Sequence, residues 1–184
     1  AAKVTGLPRS SWIAGIEASR HTAGLVYLVA DNHRNGDDAN HLFKSADNGE
    51  TWTSIAGDLP PNRSLHTVRE DPKNPNLLYL GSEFGLFLSF DGGAHWTELK
   101  NNMPRMAFYD LAIHPRDNDL VLASHNRGIW ILDNVAALQE LSPDVSAKAA
   151  HVFSIEEAEQ VRLSNPKAHA GDMIFRGENP PAGA

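Results

Sequence analysis

Residues 42–52, LFKSADNGETW, and residues 86–96, LFLSFDGGAHW, are one motif written twice. They agree at Leu42/Leu86, Phe43/Phe87, Ser45/Ser89, Asp47/Asp91, Gly49/Gly93 and Trp52/Trp96, all at an offset of 44 (Leu42 to Leu86). An Asp followed two residues later by Gly predicts a turn in which the carboxylate accepts backbone N–H bonds and Gly takes a positive φ that side chains resist. Each Trp then opens the next strand and brings ~150–250 Å² of surface to bury between neighbouring units. A catalytic carboxylate is needed once, whereas this one recurs. Ser45, Asp47, Gly49, Trp52, Ser89, Asp91, Gly93 and Trp96 therefore read as structural.

Upstream of the motif, residues 71–88 align without a gap at offset 43 (Pro72 to Pro115) with residues 114–131, keeping Leu77/Leu120 and Gly85/Gly128. The first copy fits only if DNHRNGDDAN (31–40) is an enlarged loop. Each unit then reads as short β-runs bounded by turn residues: WIAGIEA, LVYLVA, HLFKS, WTSIA; LHTVRE, LLYLGS, GLFLSF, WTELK; FYDLAIH, LVLAS, GIWIL. Periods of this length mark propellers or solenoids, and four even strands per unit mark propeller blades. The expected fold is all-β, a β-propeller fragment of about three four-stranded blades with a short helical and irregular C-terminal extension. The blades fall at about 8–57, 64–100 and 106–133. The third has lost the motif, since Asn134 stands opposite Asp91, and a strand near 149–155 after a short helix at VAALQEL is expected to supply its edge. Residues 156–184 are the extension.

Hydrophobic residues make up 41% and charged residues 21% of the 184, which fits a folded globular chain. The net charge of −7, without a basic stripe, argues against nucleic acid as a partner. No apolar run approaches the roughly 20 residues of a membrane-spanning helix. The absence of cysteine excludes disulfides, thiolate metal sites and cysteine nucleophiles.

With the two motif copies in place, the chain resembles the Asp-box, or bacterial neuraminidase repeat, propellers, a group that includes sialidases, tandem-propeller xyloglucanases and the sortilin luminal domain. The runs VREDPKNPNLLYLGSEFGLFLSFDGGAHWTELKNNMP (68–104) and DLAIHPRDNDLVLASHNRGIWILD (110–133) resemble the last blades of large bacterial glycosyl-hydrolase-like or sortilin-like repeat proteins. FRGENPPAGA (175–184) is similar to the passage from such a propeller to a C-terminal sandwich domain. The resemblance implies an extracytoplasmic protein whose other blades and sandwich domain are this chain's partners.

In a blade, loops after the second strand lie with those after the fourth. That places DNHRNGDDAN, GSEFG, SHNRG, GDLPPNRS and KNNMPRM on one face, opposite the Asp-bearing turns. The polar groups gathered there give the candidate ligand site: His33, Arg34, Asp37, His66, Tyr109, His125 and Arg127, with Asp110 or Glu83 as a candidate for one carboxylate of a glycosidase pair. The arginines could hold a carboxylate or phosphate bidentately, and a glycosidase needs two carboxyl groups at a set separation. The Phe-Arg-Ile-Pro segment and arginine triad of sialidases are absent. Asp31, His33, Asn35 and Gly36 occupy calcium-loop positions one, three, five and six, but Leu42 stands where a bidentate Glu is required. No metal or cofactor is expected. The functional expectation is a non-catalytic propeller scaffold or a module binding glycan, peptide or a partner domain; part of a glycoside hydrolase is the alternative.

Overall fold

A computed structural model describes residues 4–100 and 102–155. Its strands form three antiparallel sheets in chain order, the blades of a β-propeller fragment. Blade 1 holds β1 (Trp12–Ala18), β2 (Val26–Asn32), β3 (Asp37–Ser45) and β4 (Thr53–Ser54), and blade 2 holds β5 (Leu65–Glu70), β6 (Leu78–Ser82), β7 (Gly85–Ser89) and β8 (Thr97–Leu99). Blade 3 holds β9 (Phe108–Ile113), β10 (Leu120–Ser124) and β11 (Ile129–Leu132), followed by α1 (Ala136–Glu140) and α2 (Pro143–Ser146). Among the described residues no helix is long and apolar enough to cross a membrane.

Alternation along each strand feeds two cores. Leu65, Val68, Leu78, Leu80 and Phe87 of blade 2 face Tyr27, Val29 and Leu42 of blade 1. Tyr79, Leu86 and Leu88 point the other way, onto Phe108, Leu111, Leu120 and Leu122 of blade 3. The far face of blade 1 is covered by Val4 and Leu7, which pack on Leu28, Ala30 and Phe43. The far face of blade 3 is bare: Ile129 and Ile131 are 71% and 60% exposed.

Three expectations change. First, β2 and β3 continue into residues 31–40, with Asn32 paired to Asp37, so the supposed loop is a hairpin closed by a 3₁₀ turn at His33–Asn35 and Gly36 at φ 74°. The Asn32–Asp37 side-chain hydrogen bond, 2.7 Å, holds it shut. Second, the repeat is not gapless. Leu80 pairs with Val68 and Phe87, whereas Leu122 pairs with Leu111 and Trp130. The outer two matches keep offset 43, but the middle strand stands at 42 (Leu80 to Leu122). A one-residue slip would turn the middle strand's side chains to the wrong face, so a loop one residue shorter before β10 is balanced by a turn one residue longer after it. Third, residues 149–155 form no strand, and blade 3 has three strands. Asn134 there takes φ 47° and accepts the Ala136 N–H ahead of α1, so the chain leaves the sheet as helix. The extension at 156–184 lies outside the described residues.

Candidate functional site

In both motif copies the serine hydroxyl donates to the aspartate and accepts the glycine N–H: Ser45 to Asp47 at 2.7 Å with Gly49 N at 2.8 Å, and Ser89 to Asp91 at 2.8 Å with Gly93 N at 2.8 Å. Each aspartate also accepts the backbone N–H four residues on, from Thr51 and His95. Gly49 and Gly93 take φ 84° and 96°. The Thr51 hydroxyl and N–H, with the Ser45 hydroxyl, lower the Asp47 carboxyl to about 2. At Asp91 burial opposes ionisation, but bonds from His95 and Ser89 outweigh it and hold the carboxyl below the ordinary range. Trp96 Nε1 donates to Ile55 O of the preceding blade at 2.8 Å, whereas Trp52 Nε1 bonds Gly49 O of its own turn. These carboxylates are spent on hairpin geometry.

On the opposite face a cleft of about 510 Å³ opens over the inner strands. Its floor has a common origin. Each inner strand carries a register irregularity at the same point: between Ile13 and Gly15, between Leu65 and Thr67, and, across from β9, between Ala123 and Ser124. The unpaired residues are Ala14, His66 and Tyr109, and all three line the cleft. A bulge re-aims a side chain out of the alternating pattern, and here three successive blades use it to place one residue each in the cleft.

His66 is 4% exposed and stacks on Tyr109, centroids 4.1 Å apart at 13°. Its Nε2 lies 2.9 Å from Glu83 Oε2, which places the proton on Nε2 because a carboxylate only accepts. His125 lies on the other side of Tyr109, centroids 5.3 Å apart. Burial, reinforced by Glu83 and Asp31 and opposed by Arg34, raises the Tyr109 phenol and keeps it a donor. His33 and Arg34 form part of the wall, with Trp12, Asp31, Asn32 and Asn35.

The structure thus brings together His33, Arg34, His66, Tyr109, His125 and Glu83. Asp37 stays out of the cleft lining and braces the hairpin, accepting from Asn32, His41 and the Ala39 N–H, bonds that lower it to about 2. Arg127 is exposed on the β10–β11 turn, where its carbonyl accepts from Trp130 Nε1. Asp110 bonds Arg69 Nη2 at 2.7 Å and borders a separate cavity of about 220 Å³ with Glu17 and Arg20. Among the described residues no group of three or more His, Asp or Glu could hold a metal ion. Sequence reasoning missed Trp12, Ala14 and Asp31. The usable signal was the offset of 52 (Ala14 to His66) and then 43 (His66 to Tyr109), which aligns the bulge positions once the hairpin at 31–40 is allowed for.

No family model and no curated protein sequence matches the chain. Solved structures do. An ancestral GH74 enzyme matches with 24% identity over 62% of this chain and 14% of its own, at a TM-score of 0.52. The GH74 enzyme of Niastella koreensis matches with 18% identity over 66% of this chain and 21% of its own, at 0.51. The GH74 xyloglucanase of Xanthomonas campestris matches with 19% identity over 66% and 22%, at 0.50. These similarities are to the propeller fold, and the chain spans less than a quarter of each of these proteins.

Proposed function

We propose that this chain is a non-catalytic arc of an Asp-box propeller, belonging to a larger exported bacterial protein, that presents the cleft over Ala14, His66 and Tyr109 to a ligand. The observation that carries the reading is that each of the two candidate carboxylates is already engaged. Asp110 is held by Arg69 beside one cavity, and Glu83 by buried His66 at another site. A glycosidase carboxylate must face the scissile bond, whereas each of these two is already bonded to a basic side chain and neither lines the cleft. The cleft, in contrast, has what a binding site needs: concavity, aromatic faces and a few fixed polar groups. Its partners in this reading are further blades stacked on Ile129 and Ile131, and a C-terminal sandwich domain.

The similarity to GH74 enzymes favours the second reading, part of a glycoside hydrolase of xyloglucanase type. Incubating the full-length parent protein with a polysaccharide panel that includes xyloglucan separates the two. The expected result is no new reducing ends, with Asp110→Asn and Glu83→Gln behaving as wild type. Hydrolysis that either substitution abolishes would establish the enzyme reading instead.

A further inference from the structure

In the turn of the hairpin that walls the cleft, the polar side chains around Arg34 are already engaged. Asp31 accepts the His33 N–H at 3.0 Å and meets His33 Nδ1 at 2.6 Å. Asn35 Nδ2 donates to Asn32 Oδ1 at 2.6 Å and to Ser10 O at 3.2 Å, and Asn32 donates to Asp37. Arg34, at the centre of the turn, enters no ion pair or side-chain hydrogen bond among the described residues, and its guanidinium lines the cleft. A turn locked on both sides of one unpaired cation is preorganised to present that cation, so little ordering cost falls on binding.

Two partly exposed aromatic side chains line the same cleft. Trp12 is 73% and Tyr109 48% exposed, although large apolar side chains are ordinarily withdrawn from water. At the bulge position blade 1 brings only the methyl group of Ala14 to the cleft, where the next two blades bring His66 and Tyr109. The largely exposed Trp12 ring, beside polar groups in the same cleft, suits a pyranose ring, whose C–H face packs on an aromatic while its hydroxyls meet water and polar side chains. Arg34 adds a demand for negative charge on that ring, met by a carboxylate bound bidentately.

We propose that the cleft is a subsite for a uronosyl residue of an acidic glycan, the ring resting on Trp12 over Ala14 and its carboxylate on Arg34. The assignment rests on the binding-module reading above and sharpens its ligand class. With a net charge of −7, the chain as a whole repels polyanions, so any retention must come from the site.

The test is isothermal titration of the full-length protein with trigalacturonate and, as the neutral comparison, cellotriose. Trigalacturonate should bind at least about tenfold more tightly, the effect of one charge-assisted bidentate contact. Arg34→Gln should erase that difference, Arg34→Lys should restore part of it, and Trp12→Ala should weaken both ligands. Arg34 and Trp12 are surface side chains, so an unchanged far-ultraviolet circular dichroism spectrum and unfolding midpoint are expected in all three variants. Equal binding of the two ligands, untouched by Arg34→Gln, would overturn the acidic-sugar assignment and leave the binding module standing. Binding of neither ligand would overturn the assignment as well. Cleavage of trigalacturonate that Glu83→Gln abolishes would instead overturn the non-catalytic reading while the Arg34 dependence still reports the ligand class.

Discussion

Trp96→Ala should lower the unfolding free energy by about 3–5 kcal/mol, the range for deleting a large aromatic from a packed interior. Trp96 is buried in the core between blades 1 and 2, beside Leu59 and Leu65, and its Nε1 and backbone N–H reach Ile55 O and the Asp58 carboxylate of the preceding blade. The truncation removes packing and at once leaves the Ile55 carbonyl without its Trp96 donor. Trp52 is the internal control. It occupies the same motif position, but it is half-buried and bonds only its own turn, so Trp52→Ala should cost less than half as much. Urea unfolding followed by far-ultraviolet circular dichroism checks both, with the midpoint falling and the slope held.

Gly81→Val should be nearly as damaging, about 3 kcal/mol, at the top of the overpacking range. Gly81 has ordinary backbone angles, so its constraint is space: a Cβ would meet Phe108 O at 2.6 Å and Thr67 Cγ2 at 2.8 Å. Phe108 belongs to β9, the inner strand of blade 3, and a backbone oxygen cannot rotate away as a side chain can. The added atoms would push blade 3 from blade 2 and move Tyr109, the next residue, off His66. Gly81→Ala should fall between wild type and Gly81→Val in the same denaturation series. A strand glycine commonly marks such a close approach of two backbones.

The propeller was legible because the motif joins two kinds of constraint in eleven residues: a strand with period two and a turn that requires Ser, Asp and Gly at fixed positions. That combination repeats rarely by chance. The one-residue slip in β10 was not legible, because Val121 and Ala123 are as apolar as Leu120 and Leu122 and either set satisfies the alternation. Only the strand pairing decides between them. The hairpin at 31–40 was hidden for a related reason. Its Asn, Asp and Gly are turn formers, and their use here as paired side chains depends on Asn32 meeting Asp37 across the strands.

The site was half legible. His33, Arg34, His66, Tyr109, His125 and Glu83 follow from sorting loops and inner strands by blade face. Asp110 was misplaced because a strand that bulges at Tyr109 breaks the alternation, sending Tyr109 to the cleft and Asp110 to Arg69. Trp12 was hidden because an aromatic at the start of a strand is normally read as core, and here it is largely exposed.

The arc of blades carries the whole account, and the bare face of blade 3 tests it most directly. In blade 2 the matching residues Leu86 and Leu88 are buried by the blade that follows, while Ile129 and Ile131 in blade 3 lie open. An exposed apolar face of this kind drives association. Static light scattering on the isolated 184-residue chain should report oligomers or aggregates, and Ile129→Lys with Ile131→Lys should return it toward monomer. A wild-type chain that remains a stable monomer would contradict the placement of a further blade on that face.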